Sequence, residues 1–205
     1  MTGENTRDPQ AVWESLLEGN KRFSSGNPTR PNQDVERRLA LTRGQSPRVA
    51  VFTCGDSRVP AEILFDHGLG DLFVVRTAGE VVDSGVMASL EFAVLGLGVE
   101  VLVVLGHESC GAVKVTADVL DGAEVPGGHQ RTLVEQIAPS ILEARSKGVA
   151  DSADFERYHA AATAKRILQT SPAINKAVKR GHTAIIAALY RMSDGAVETV
   201  SALGI

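Results

Sequence analysis

The stretch "VFTCGDSRVP", Val51 to Pro60, sets a thiol, a carboxylate and a guanidinium at alternate positions directly after an apolar run. The chain has two cysteines, and the second, Cys110, stands three residues after His107 in "GHESCG". Taken alone, Cys54 reads as a small buried filler and an H-x-x-C pair is a weak metal signal. The setting changes the weight. Both cysteines follow short, β-branched apolar runs, "RVAVFTC" and "VEVLVVLGH", that read as buried strands. In open α/β sheets, sites form beyond the carboxyl ends of the strands, so Cys54, His107 and Cys110 are expected at one edge. Two thiolates and an imidazole suit zinc, and three protein ligands leave its fourth tetrahedral position open. An open position belongs to a catalytic metal rather than a structural one.

Asp56 and Arg58 are the next candidates. An acid and a base two apart in a turn usually form a surface pair of little consequence. Here the turn leaves a buried strand, so the pair is expected to face the metal edge, with a charge-assisted fork holding the carboxylate. So held, Asp56 can accept a hydrogen bond from a metal-bound hydroxide; released, it can ligate the metal and shut the site. Other motifs fail on spacing. A cysteine-phosphatase loop needs arginine where Pro60 stands, and Ser57 lacks the second glycine of a nucleophile elbow. "GLGDLF" and "GLGVEV" lack the third glycine of a dinucleotide fingerprint. His67, His129, His159 and His182 have no evident partners and are expected to be exposed or internally satisfied.

The elements that must position these residues follow from the apolar pattern. Residues 48–54, 71–77 and 99–107 are strands apolar on both faces, separated by helical stretches from Pro60 to Asp66 and Ser84 to Leu97. "HTAIIAALYRM" supplies a fourth parallel strand, and "SDG" turns it into the edge strand "AVETVSAL". The fold class is α/β: one central, mainly parallel sheet of about four parallel strands plus an antiparallel edge strand, flanked by helices. Two helices precede it, "DPQAVWESLLEGNKRFSSG" with Asp8 as cap and Pro9 in the first turn, and "NQDVERRLALTRG". They make residues 1–44 an N-terminal helical arm, suited to packing on another subunit, ahead of an α/β core over 45–205 in one domain spanning 1–205. A length of 205 residues allows a core without staples. A net charge of −4 offers no basic field for nucleic acid, and no run approaches membrane-spanning length. The polar start "MTGENTRDPQ" has no apolar stretch of a signal peptide, so a cytoplasmic location is expected.

"CGDSR" at 54–58 with "GHESCG" at 106–111 resembles the β-class carbonic anhydrases, whose pattern is C-x-D-x-R followed by H-x-x-C. "GQSP" (44–47), "FVVRTAG" (73–79) and "LEFAVLGLGV" (90–99) fall where that family has similar segments. The likeness is dense from Gly44 to Gly111 and only one of pattern beyond Val125. It implies reversible hydration of carbon dioxide to bicarbonate and a proton, with one zinc per chain on Cys54, His107 and Cys110. It makes Asp56 and Arg58 a gating dyad and Gln45 a substrate-orienting amide. Phe73 and Ala78 fall at apolar pocket positions, and Phe92 at one that reaches the pocket from a partner subunit. It further implies a homo-oligomer, a dimer or a tetramer.

Some relatives carry a tryptophan, an arginine and a tyrosine that bind inhibitory bicarbonate at a second site. Arg76 is present here, but Val51 and Phe92 replace the other two, so that site is not expected and Asp56 is expected off the metal near neutral pH. Two alternatives stay open. The same zinc site can hydrolyse carbon disulfide or carbonyl sulfide, and Cys54 and Cys110 can serve a zinc- or redox-sensing protein.

Overall fold

Every residue of β1 (Val49–Cys54), β3 (Val101–His107) and β4 (Ala184–Tyr190) is buried in the computed structural model, which describes residues 7–205. These runs can be buried on both faces because their side chains alternate between two apolar layers. With β2 (Leu72–Thr77) and β5 (Val197–Leu203) they form a five-stranded sheet in the order β2-β1-β3-β4-β5. The first four strands are parallel and β5 is antiparallel to β4. The fold class is the one the apolar pattern implies.

Val49 and Val51, with Val101, Val103 and Leu105, face the helices α1 (Pro9–Ser24) and α3 (Ala61–Leu64). Ala50 and Phe52, with Leu102 and Val104, face α4 (Ser84–Glu91), α7 (Phe155–Thr170) and α8 (Pro172–Lys179). A third apolar cluster closes the carboxyl edge of the sheet, where α5 (Gly111–Leu120), α6 (Arg131–Ser146) and Phe155 pack around Cys54 and Cys110. No described helix is long and apolar enough to cross a membrane.

The arm departs from expectation. Asp8 caps α1, its Oδ1 accepting from the Ala11 N–H at 3.0 Å, as the sequence implies. Yet Val12, Trp13 and Leu16 are buried in this chain's own core. The Trp13 Nε1–H donates to Thr199 Oγ1 at 3.1 Å, and its ring meets Phe65 edge-on at 6.3 Å. An amphipathic stripe shows that a helix docks but not on which chain, and the nearest apolar surface is the helix-poor face of the same sheet. By contrast α2 (Val35–Ala40) has no buried residue, with Val35 and Leu39 exposed, and is held by Arg37 to the Leu69 carbonyl and Asp71. Between α1 and α2 the chain is pinned by Asp66, whose carboxylate accepts from Arg22 Nε (2.6 Å), Thr29 N (3.0 Å), Thr29 Oγ1 (2.8 Å) and Arg30 N (2.8 Å).

Candidate metal centre

From β1 the chain passes to β2 on one side and then returns to β3 on the other. The gap between β1 and β3 is therefore the topological switch point, where open sheets leave a crevice. Thr53 lies opposite Leu105, and β3 runs on to His107 at the tip. Ser109, in the left-handed region at φ 57, folds the H-x-x-C segment back so that Cys110 sits at the start of α5. One ligand atom from each of Cys54, His107 and Cys110 lies within 4.8 Å of the others, and all three residues are buried. Among the described residues no other such group forms.

The imidazole decides what these atoms can hold. His107 Nδ1 is 2.9 Å from the backbone carbonyl of Glu108. A carbonyl only accepts, so Nδ1 carries a proton, and in the neutral ring that a metal would bind Nε2 is bare. That Nε2 is buried and has no hydrogen-bond partner, and an unmet buried polar atom costs about 1–3 kcal/mol. The sulfurs tell the same story. A hydrogen bond from the Cys110 thiol pulls Cys54 down to about 4, against its burial and helped by His107 and the backbone N–H groups of Gly79 and Asp56. Cys110 is pushed up in turn, by its bond to Cys54 and by burial. One proton is thus shared by two sulfurs, and removing it leaves adjacent thiolates that a cation between them would stabilise. The start of α5 favours a thiolate at Cys110 in that state. A soft divalent cation fits this donor set.

The Asp56–Arg58 pair flanks the group. Arg58 donates from Nε to Asp56 Oδ1 at 2.9 Å and from Nη2 to Oδ2 at 2.7 Å, and its backbone N–H donates to Oδ1 at 2.9 Å. Arg58 first, outweighing desolvation, holds the Asp56 carboxyl well below the usual carboxylate range. The fork forms at the edge as expected, with the Arg58 side chain 53% exposed. Arg76 is committed to the backbone: it donates to the Cys54 carbonyl at 2.9 Å and the Asp56 carbonyl at 2.6 Å. Gly55 N–H donates to Thr77 O at 2.9 Å, which draws the next residue, Ala78, to the same edge.

One chain does not gather every expected site residue. Phe73 pairs with Ala50, four residues back from Thr77 on β2, or about 13 Å along an extended strand. Phe92 lies against it, ring centroids 6.1 Å apart, and is 54% exposed. Gln45 is exposed and precedes β1, so the length of an extended strand separates it from Cys54. Gln45, Phe73 and Phe92 therefore lie away from the edge that holds Cys54, Asp56, Arg58, Ala78, His107 and Cys110.

Three further residues reach this edge: Glu80 and Glu156, which the sequence did not single out, and His159, which is internally satisfied as one of the two expected outcomes. Glu80 and Glu156 are buried, each with one carboxylate oxygen that has no partner. Burial pushes both carboxyls up, and Glu80 is raised further by Cys54 and Glu156. His159 is buried between Ser140 and the Gly79 carbonyl. The signal for two of them lay in α7, where Glu156, His159 and Thr163 share a buried stripe with Ala160, Ala164 and Ile167. Polar residues on a core-facing stripe are the ones to question.

Comparison with known proteins agrees with this geometry. The sequence model of the carbonic anhydrase family matches residues 49–197. A carbonic anhydrase of Mycolicibacterium smegmatis is 50% identical over 197 residues, 96% of each chain. Among solved structures, a Coccomyxa β-carbonic anhydrase in complex with acetazolamide superposes with a TM-score of 0.72 at 21% identity, covering 97% of this chain and 89% of that one. One of two tetrameric β-carbonic anhydrases from Sordaria macrospora gives 0.69 at 22% identity, covering 93% and 97%. With a family match across the whole sheet and half of all positions shared with a full-length relative, the chain belongs to the β-carbonic anhydrase family.

Proposed function

We propose that the chain is a zinc enzyme that interconverts carbon dioxide with bicarbonate and a proton. The observation that carries this reading is the bare, buried Nε2 of His107 facing two thiols within 4.8 Å. Cys54, His107 and Cys110 would hold one zinc per chain. Bound there, zinc supplies a Lewis acid that makes hydroxide available near neutral pH, moderated by two thiolates that cancel the ion's charge.

The chain's own residues do the rest. Asp56 stays ionised and accepts a hydrogen bond from the attacking hydroxyl, which orients a lone pair towards the substrate carbon. Arg58 keeps that carboxylate turned away from the metal donors. Ala78 lines the near side of the pocket. Gln45, Phe73 and Phe92 serve as a substrate-orienting amide and an apolar wall, supplied across an interface by a second copy of this chain. The exposure of Gln45 and Phe92 supports that assembly, and the Sordaria relatives are described as tetrameric. The free state of both cysteines supports a reducing, cytoplasmic setting.

The test is stopped-flow hydration of carbon dioxide with a pH indicator, on protein as purified, stripped by chelator and reconstituted with zinc. Hydration that vanishes on stripping and returns with zinc is expected. A folded, zinc-loaded chain without hydration would overturn the reading.

A further inference from the structure

We infer that His159 is a positioning residue for the Cys54 sulfur, acting through the Gly79 turn; this rests on the zinc reading of Cys54 given above. His159 Nε2 lies 2.7 Å from the Gly79 carbonyl. Because a carbonyl only accepts, Nε2 carries the proton and donates it. Nδ1 is then an acceptor, and Ser140 Oγ stands 2.8 Å from it. Ser140 has one hydroxyl proton and two acceptors within reach, Nδ1 and the Ile137 carbonyl at 2.7 Å, so it serves one of them at a time while its place on α6 holds it against the ring. On the other side of the same residue, the Gly79 N–H donates to Cys54 Sγ at 3.3 Å. His159 therefore fixes one peptide of Gly79 while the other points at the sulfur.

That turn would not hold this shape unaided. Gly79 has φ 63 and Glu80, which follows it, has φ 48. A non-glycine residue in the left-handed region costs on the order of 1–2 kcal/mol and persists only where its surroundings fix it. Packing selects glycine here: a Cβ on Gly79 would come within 2.7 Å of the Ala112 Cβ and 2.8 Å of the Ile137 Cδ1. That crowding does not itself stop the carbonyl of the Gly79–Glu80 peptide from turning. His159, 4% exposed and held on α7, supplies the donor that stops it. The consequence falls on Cys54. An N–H aimed at a thiolate withdraws charge from the sulfur and sets its direction, as partners of metal ligands do generally.

The experiment compares His159→Leu, which removes the donor, with His159→Gln, whose amide N–H can reach the Nε2 position. Zinc affinity is measured by competition with a chelator, and the cobalt(II)-substituted proteins are compared in their thiolate-to-cobalt charge-transfer bands. His159→Leu is expected to lose about 10- to 100-fold in zinc affinity with a shifted band, and His159→Gln to stay within about threefold of the parent. Should His159→Leu fail to fold, Ser140→Ala tests the same link, with a shift in the same direction and of smaller size expected. A Leu variant that loses thermal stability but keeps affinity and spectrum overturns the inference, as does an unshifted Ser140→Ala. A parent chain that binds neither zinc nor cobalt overturns the zinc reading itself, and this inference with it.

Discussion

Arg58 closes on Asp56 through both carboxylate oxygens and reaches on to the Ser109 carbonyl at 3.3 Å. One side chain thus links the loop that follows Cys54 at the end of β1 to the loop after β3 that carries Cys110. The fork engages both oxygens of the Asp56 carboxylate, while the contact with Ser109 spans the crevice.

Arg58→Ala is therefore expected to release Asp56 and lower kcat/KM by about 10²- to 10⁴-fold, the range for a misplaced proton-handling group. Zinc content should stay near one per chain, because Arg58 touches no ligand side chain. Kinetics and metal analysis on the same sample check this. Loss of zinc along with activity would make Arg58 a structural residue.

Trp13 anchors the arm on this chain's own core, so Trp13→Ala should destabilise the fold by about 3–5 kcal/mol, the usual result for truncating a buried tryptophan. Urea unfolding measures it. A change near zero would mean that Trp13 does not anchor α1 on this core in solution.

Trp13 also marks where sequence reading ends. Cys54, His107 and Cys110 were legible because each sits beside a β-branched run whose end is set locally, and parallel strands bring such ends to one edge. The mainly parallel sheet with its antiparallel edge strand followed from the same runs; the strand order did not. His159 was not legible, since its role depends on how α6 and α7 pack against a turn 80 residues away. Nor was the docking of α1, because its apolar stripe fits any apolar face. The remote placement of Gln45 and Phe92 needed the strand to be drawn at full length.

Asp66 gives the pH dependence of stability. Burial pushes its carboxyl up, but Arg22 and the donors of Thr29 and Arg30 outweigh burial and hold it well below the usual range. A depressed folded value stabilises the protein above the unfolded value near 3.9, and that contribution is lost as pH falls below it. Asp66→Asn keeps the left-handed backbone that φ 51 requires. It should cost about 2 kcal/mol at pH 7. The gap between parent and variant should be flat from pH 8 to 5 and narrow below about pH 4. Urea midpoints across that range decide it, and a gap that widens on acidification would contradict the sign.

Shared sites predict complementation. Gln45→Ala keeps the metal edge and Arg58→Ala keeps Gln45, so a mixed dimer holds one intact site. After unfolding and co-refolding at equal concentrations, about a quarter of all sites should regain parental activity if the interface is two-fold symmetric. Activity no higher than the average of the two variants would place Gln45 outside the site.

The central claim is the donor set, and zinc-edge X-ray absorption on the zinc-loaded chain tests it most directly. Two sulfurs at about 2.3 Å and a histidine nitrogen at about 2.0 Å are predicted, with one sulfur lost in Cys54→Ser and in Cys110→Ser. A shell of nitrogen and oxygen only, unchanged by either substitution, would contradict it.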